Sequence, residues 1–203
     1  MPSKLLLATN NQAKVNEYKS LLSNLPIELV TLADLGITAV VNEVGGNLEE
    51  NARLKATALA AKSQLLALAD DSGLEVDALG GEPGPLSARY AAEDASDRDR
   101  INYLLKRLKG IPWERRSACF RCVIAIATPD GVVEFCSGKC QGFITFEPRG
   151  EEGFGYDPIF YLPELDKTMA ELPMEVKNQV SHRGHAVREA YQVLDKLMGS
   201  EMP

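Results

Sequence analysis

The chain has 203 residues, 45% hydrophobic and 25% charged, which is ordinary globular composition and enough length for one domain or two closely joined lobes. Its formal net charge of −7 argues against nucleic-acid polymers and anionic membranes as partners, because both bind basic surfaces. No apolar run approaches the ~20 residues of a membrane span, and the N-terminal apolar stretch is too short for a signal peptide, so we expect a cytoplasmic protein with reduced cysteines.

The chain is predicted to open with a strand, a polar turn and a helix. Residues 4–8, which include three consecutive leucines, are predicted to form a short buried strand, and Thr9, Asn10 and Asn11 follow it. Apolar residues then recur at helical spacing, with Lys14 in the first turn of the predicted helix. Free N–H groups and the helix dipole make such a helix start a potential phosphate site, to which an ammonium adds charge. A capped helix with a surface lysine explains the same pattern without a ligand.

A second strand is predicted at residues 27–32, followed by a loop at residues 34–44. Asn47 with Glu50 three positions later resembles a capping box, so an alanine-rich helix is predicted to begin there. Glu43 lies in the preceding loop, where its carboxylate is free to point toward a ligand. On its own, Glu43 is more simply interpreted as a solvated loop acid.

Two adjacent carboxylates, Asp70 and Asp71, follow an apolar run at residues 65–69. A strand that exposes both carboxylates at its end and then turns on Ser72-Gly73 would place oxygen ligands where a hydrated divalent cation could bind. The motif in isolation favours a solvated turn between two strands. The remaining motifs must therefore decide between these interpretations.

The four cysteines, at positions 119, 122, 136 and 140, have spacings that resemble a zinc site. However, residues 118–138 have the pattern of a β-hairpin, and residues three apart on a strand point to opposite faces. We therefore expect thiols in or near the core and no metal site. Further strands are predicted at residues 74–79 and 138–146, and helices at residues 96–108 and around residues 187–197.

Two loops in the second half carry residues suited to nucleotide binding. The loop at residues 148–158 concentrates glycines, aromatic residues and acids. Its glycines allow close approach of backbone to a ligand, Phe154 offers a stacking face for a base, and Asp157 offers a hydrogen-bond acceptor. The stretch at residues 177–183 is basic and precedes the last helix, which is typical of an anion site. Helix capping by residues that face water explains that stretch equally well.

Six separated motifs, in one order over nearly the whole chain, resemble the inosine/xanthosine triphosphate pyrophosphatase family. They are Ala8-Thr9-x-Asn11-x-x-Lys14-x-x-Glu17, Glu49-Glu50-Asn51-Ala52-x-x-Lys55-Ala56, Ala69-Asp70-Asp71-Ser72-Gly73-Leu74, Ser87-Ala88-Arg89-Tyr90, Gly153-Phe154-Gly155-Tyr156-Asp157-Pro158-Ile159-Phe160, and Lys177-Asn178 with Ser181-His182-Arg183. Asn10 and Ala92 depart from the family pattern, which commonly has glycine at both positions. Asparagine tolerates a left-handed backbone well, so the first departure is expected to leave the loop intact.

The resemblance implies an α/β fold with an elongated mixed β-sheet flanked by helices, in two lobes with a nucleotide cleft between them. It implies one nucleotide pyrophosphatase domain over residues 1–203, usually in a homodimer. The implied reaction is Mg²⁺-dependent hydrolysis of noncanonical purine nucleoside triphosphates (ITP, dITP, XTP) to the nucleoside monophosphate and pyrophosphate. Asp71 would be the catalytic base, and Glu43 and Asp71 would bind Mg²⁺. The substrate-binding residues would be Thr9, Asn10, Asn11, Lys14, Ser72, Phe154, Gly155, Tyr156, Asp157, Lys177, His182 and Arg183, while the direct role of Asp70 stays open.

Two alternatives remain at this point. One is a Maf-type nucleotide pyrophosphatase, which has similar architecture but acts on dTTP, UTP or modified nucleotides. The other is a nucleotide-binding module without catalysis. Both would share much of the motif pattern, so only the choice and turnover of substrate separate them.

Overall fold

The computed structural model describes residues 3–38 and 46–198, which form an eight-stranded mixed sheet with five α-helices. The strands are β1 (Ser3–Leu7), β2 (Ile27–Thr31), β3 (Leu66–Val76), β4 (Pro83–Gly84), β5 (Ser117–Ala127), β6 (Val133–Ile144), β7 (Phe160–Leu162) and β8 (Lys167–Thr168). The helices are α1 (Gln12–Leu21), α2 (Leu48–Ser63), α3 (Asp97–Arg107), α4 (Met174–Val180) and α5 (His182–Met198). The predicted mixed α/β fold is therefore confirmed.

The strands follow the order β2-β1-β3-β5-β6-β7-β8, and β4 pairs with β3 beside this path. β1 runs parallel to both β2 and β3, whereas β3 with β4, β6 with β7 and β7 with β8 are antiparallel pairs. Leu5, Leu6 and Leu7 of β1 are all fully buried. A continuous apolar run of this kind is typical of a parallel strand that is covered on both faces.

The chain divides into two compact units. The first contains residues 1–71, 122–138 and 183–203, and the second contains residues 72–121 and 139–182. The strands β3, β5 and β6 contribute residues to both units. None of the helices in the described part of the chain has the length and apolarity needed to span a membrane.

The first unit has two cores, one on each face of its strands. Leu5, Leu7 and Leu68 pack with α1 and α5 in one core, and Leu6 and Ala69 pack with the alanine-rich face of α2 in the other. Successive side chains of a strand point to opposite faces, so this alternation follows from the sequence of β1 and β3. The unit is thus a helix–sheet–helix sandwich.

The second unit packs α3 against strand residues through a separate core. Ile101, Leu104 and Leu108 from the α3 region meet Leu74, Phe160 and other buried residues there. Ser96 caps α3 with a reciprocal bond to Asp99, which agrees with the predicted helix start.

Three predicted local features are wrong. β3 does not end at the two aspartates but continues through Ser72 and Gly73 to Val76, because Gly73 lets the backbone of Gly84 approach β3 closely. The strands predicted separately before and after residue 138 form one strand, β6. Residues 177–180, predicted as a loop, belong to the seven-residue helix α4.

Candidate functional site

The two adjacent aspartates of β3 lie on opposite faces of the strand. Asp70 and Asp71 are only 2% and 7% exposed, so neither belongs to the exposed turn that the sequence predicted. Asp70 shares the face of Leu68, which packs on α1 and α5, and Asp71 shares the face of Ala69, which packs on α2. The strand therefore delivers one carboxylate to each helical layer of the first unit.

Asp71 is held by two side chains of α2. Asn51 Nδ2 donates to Asp71 Oδ2 at 3.0 Å, and Lys55 Nζ lies 3.5 Å from Asp71 Oδ1. Lys55 Nζ also donates to the backbone carbonyl of Asp70 at 2.7 Å. Asn51 and Lys55 are one helical turn apart, which is why both reach the same strand position. The Asp71 carboxylate is thus fixed in orientation next to a positive charge.

Asp70 uses its two carboxylate oxygens for two different cations. Lys14 Nζ donates to Oδ1 at 3.0 Å, while Nη2 and Nε of Arg183 lie 3.0 and 3.3 Å from Oδ2. The Cys122 thiol lies 3.8 Å from the same Oδ2. Burial disfavours the charged carboxylate, but the neighbouring cations, chiefly Lys14 and Arg183, outweigh it and hold the pKa of Asp70 below its usual value.

Arg183 is 1% exposed, and its Nη1 donates to Glu17 Oε2 at 2.5 Å. Burial alone would lower the pKa of this guanidinium, but the charges of Asp70 and Glu17 raise it well above its usual value. The structure thus places Arg183 in a buried ion-pair network with these two carboxylates. Its predicted contact with a nucleotide stays a prediction.

The N-terminus of α1 forms the polar turn that the sequence predicted. Asn11 is the N-cap and its side chain accepts from the backbone N–H of Lys14 at 3.1 Å, while Thr9 Oγ1 accepts from the backbone N–H of Asn11 at 3.1 Å. Asn10 and Asn11 are exposed, and Thr9 is half-buried. A ten-residue helix with its N-terminus at an exposed turn, and a lysine in its first turn, is suited to phosphate.

In the second unit, the predicted nucleotide loop is built around a buried ion pair. Lys177 of α4 and Asp157 are 2% and 3% exposed, and Lys177 Nζ lies 2.5 Å from Asp157 Oδ2. The same carboxylate oxygen accepts from the backbone N–H of Phe154 at 2.9 Å. Gly153 has a φ of +77°, and a Cβ there would lie 2.1 Å from Asp157 Oδ2. Only glycine at position 153 therefore leaves room for the Asp157 carboxylate to accept from the Phe154 N–H.

Lys177 also lies over the Phe154 ring, with Nζ 5.1 Å from the ring centroid. Gly155 donates its backbone N–H to the Asp97 carboxylate at 2.6 Å, and Tyr156 donates its buried hydroxyl to the carbonyl of Ser87 at 2.9 Å. These contacts hold the loop in place, and the Tyr156 side chain lies in the core.

The other predicted site residues lie in defined positions. Ser72 is half-buried on β3, directly after Asp71. His182 is buried at the start of α5, and its ring stacks on Phe120 with the centroids 4.7 Å apart. Glu43 lies outside the residues that the structure describes.

Several residues of these networks were not assigned roles from the sequence, namely Glu17, Asn51, Lys55 and Asp97. Asn51 and Lys55 stand at an i, i+4 spacing in one of the quoted motifs, and this spacing was the available signal. For Asp97, the sequence indicated only a position at the start of a helix and no contact with the loop.

Asp71 offers one carboxylate to Mg²⁺, which commonly uses one or two carboxylates together with phosphate oxygens of the substrate. Within residues 3–38 and 46–198, no group of three His, Cys, Asp or Glu side chains could hold a metal ion without such a partner. Cys122, Cys136 and Cys140 are buried and Cys119 is half-buried, so the predicted position of the thiols in or near the core is confirmed.

Comparison with known proteins gives consistent matches over most of the chain. A family model described as the Ham1 family matches residues 5–193. The dITP/XTP pyrophosphatase of Desulforamulus reducens is 49% identical, with 96% of each chain covered, and that of Bacillus subtilis is 45% identical, covering 94% of this chain and 96% of the relative. Among solved structures, the Ham1 protein of Staphylococcus aureus is 42% identical with a TM-score of 0.84, covering 96% of this chain and all of the other. The HAM1 protein of Coxiella burnetii is 41% identical with a TM-score of 0.85, covering 95% and 98%.

Proposed function

Since the chain belongs to the Ham1 family, we propose that it is a nucleoside triphosphate pyrophosphatase that hydrolyses ITP, dITP and XTP to the nucleoside monophosphate and pyrophosphate. The resemblance that the sequence motifs indicated is confirmed by these matches. Relatives of nearly the same length bear the name dITP/XTP pyrophosphatase, which supports this substrate class. Such an enzyme would remove noncanonical purine nucleotides from the nucleotide pool.

The observation that carries the proposal is the fixed orientation of Asp71. Its carboxylate is buried and held between the Asn51 amide and the Lys55 ammonium. An oriented carboxylate can accept a proton from a water molecule that attacks the α–β phosphoanhydride. We therefore assign Asp71 as the general base.

Mg²⁺ is the proposed cofactor, with Asp71 and Glu43 as its protein ligands. A triphosphate brings several negative charges to an acidic protein, so a cation must offset the repulsion. When bound, Mg²⁺ would neutralise phosphate charge and polarise the anhydride. Lys14 and Lys177 would stabilise the charge that develops on the departing pyrophosphate.

The polar turn at Thr9, Asn10 and Asn11 is proposed to bind phosphate through its N–H groups and side chains. In the second unit, the loop of residues 153–157 is proposed to receive the purine, with Phe154 as the stacking face.

Base choice is proposed to depend on position 6 of the purine. A 6-oxo group accepts a hydrogen bond whereas a 6-amino group donates one, so a donor fixed at His182 or Arg183 would leave adenine mispaired. Ser72 and Asp157 complete the proposed substrate contacts.

The homodimeric state is proposed from the family resemblance alone. The cytoplasmic location and the absence of nucleic-acid or membrane partners are proposed from the acidic charge and the sequence pattern.

A nucleotide panel tests the proposal. Hydrolysis of ITP, XTP, dITP, GTP, ATP, dTTP and UTP would be measured as pyrophosphate release, with and without Mg²⁺. We expect rapid Mg²⁺-dependent turnover of the first three and little of ATP. Efficient hydrolysis of dTTP or UTP with inert ITP would replace the proposal by a Maf-type activity. Binding of ITP without any pyrophosphate release would indicate a non-catalytic module.

A further inference from the structure

We infer that Asp70 is a positioning residue, which holds Lys14 in place for phosphate and ties it to Arg183. The inference deepens the proposed function, on which it rests only in taking Lys14 as a phosphate contact. It separates the two neighbouring aspartates by role, since Asp71 acts at the reaction centre and Asp70 acts through a lysine.

Each oxygen of Asp70 has its own partner from a different helix. Oδ1 accepts from Lys14 of α1 at 3.0 Å, and Oδ2 accepts from Arg183 of α5 at 3.0 Å. The thiol of Cys122 also lies within 3.8 Å of Oδ2. The carboxylate therefore joins the start of α1, where the proposed phosphate turn lies, to the start of α5.

Exposure separates Asp70 from its partner Lys14. The side chain of Asp70 is 0% exposed and that of Arg183 is 1% exposed, whereas that of Lys14 is 13% exposed. Of these three side chains, only that of Lys14 is therefore accessible from solvent. The side chain of Asp71 is 10% exposed whereas that of Asp70 is 0% exposed, so Asp71 is the better placed of the two to reach a metal ion, and the geometry favours a positioning role for Asp70.

Only a carboxylate at position 70 can accept hydrogen bonds from both Lys14 and Arg183, because an amide has a single acceptor atom. In Asp70→Asn, one position becomes an NH₂ group, which donates and cannot accept from Lys14 or Arg183. Either orientation of the amide leaves one cation facing a donor. A hydrogen bond to a charged group corresponds to roughly a 10- to 100-fold change in an equilibrium constant, and we expect a loss in that range for phosphate binding.

A double-mutant cycle tests the inference with inorganic tripolyphosphate as the probe, in the absence of Mg²⁺. Affinities would be measured by calorimetry for wild type, Asp70→Asn, Lys14→Met and the double variant. If Asp70 acts through Lys14, the double variant binds as weakly as Lys14→Met alone, so that the two losses do not multiply. Losses that multiply, or an Asp70→Asn protein with wild-type affinity, would overturn the inference.

Lys55 provides a matched control, because it contacts Asp70 through the backbone carbonyl, which remains in Asp70→Asn. The cycle of Asp70→Asn with Lys55→Met should show weaker coupling than the cycle with Lys14→Met. Equal or stronger coupling to Lys55 would contradict the assignment.

If Asp70→Asn does not fold, Arg183→Lys replaces it in the binding cycle. It keeps a buried positive charge but loses the two-nitrogen contact with Oδ2, and the probe carries no base that Arg183 could contact directly. A reduced affinity that disappears in the Lys14→Met background supports the inference, and a wild-type affinity contradicts it.

Phosphate binding and nucleotide hydrolysis are measured independently of each other. The cycle measures binding of a probe without a base and without turnover. A protein that releases no pyrophosphate from any nucleotide would refute the function, while the cycle could still be measured.

Discussion

Replacement of Gly73 by alanine would add a methyl group where β3 meets the backbone of β4. The Cβ would lie 2.3 Å from the carbonyl oxygen of Gly84, 2.8 Å from its carbonyl carbon and 3.3 Å from Ser87 Oγ. Ser87 fixes this arrangement, because its hydroxyl donates to the Gly84 carbonyl at 2.6 Å and accepts from the Leu74 N–H at 2.8 Å. The contact is with backbone, so no side-chain rotation relieves it.

The expected loss of stability combines two effects. Insertion of a methyl group into a packed site costs about 1–3 kcal/mol, and one lost backbone hydrogen bond adds about 1 kcal/mol. The free energy of unfolding should therefore fall by roughly 2–4 kcal/mol. In a domain of this size each kcal/mol lowers Tm by about 2–4 °C, so the decrease should be roughly 4–16 °C.

Thermal unfolding monitored by circular dichroism measures the effect. Gly46→Ala is the matched control, since a Cβ at Gly46 meets no atom of the described residues within 4 Å. Its unfolding free energy should stay within about 0.5 kcal/mol of wild type. A Gly73→Ala protein that melts at the same temperature as the control would refute the steric argument.

Two further predictions concern buried charge and thiol reactivity. Arg183→Met should lower the free energy of unfolding in urea by about 3–5 kcal/mol, because it leaves buried carboxylates unpaired. The control, Lys196→Met, removes an exposed ion pair and should cost about 1 kcal/mol or less. Equal losses in the two variants would contradict the expected effect of Arg183→Met. Burial and the charge of Asp70 raise the pKa of Cys122 to about 12, so at pH 8 this thiol should stay protonated and unreactive toward a disulfide reagent. At most one thiol, that of the half-buried Cys119, should react in the native protein and four in the unfolded one, and fast native modification of two or more would contradict the burial.

The early elements were predictable because their signals are local. The apolar run of β1, the helical spacing in α1 and the Asn47 cap of α2 each lie within a few residues. Even there one detail differs, since the Glu50 carboxylate accepts from the N–H of Gly46 rather than completing the reciprocal bond to Asn47.

The features that the sequence did not predict depend on partners far away in the chain. Ser72-Gly73 has the composition of a turn, but Gly73 serves the close approach of Gly84, which lies in the next strand. α4 has only seven residues and begins after Pro173, too short for a helical period to stand out.

For the candidate site, the residue types were predictable and the contacts were not. The motifs identified Asp70 and Asp71 as a pair, and strand geometry alone would place them on opposite faces. That Arg183 meets Asp70 could not be deduced, because the two are 113 positions apart. Nothing in a local pattern specifies such a long-range pair.

The products formed from ITP by wild type and by Asp71→Asn show whether the enzyme releases pyrophosphate and whether Asp71 is needed for that reaction. ITP would be incubated with Mg²⁺ and the products separated by ion-exchange chromatography, with thermal unfolding of both proteins to show that they fold. We expect inosine monophosphate and pyrophosphate in equal amounts from wild type, and loss of turnover with retained nucleotide binding in Asp71→Asn. Release of inosine diphosphate and orthophosphate, or wild-type turnover by a folded Asp71→Asn protein, would contradict it.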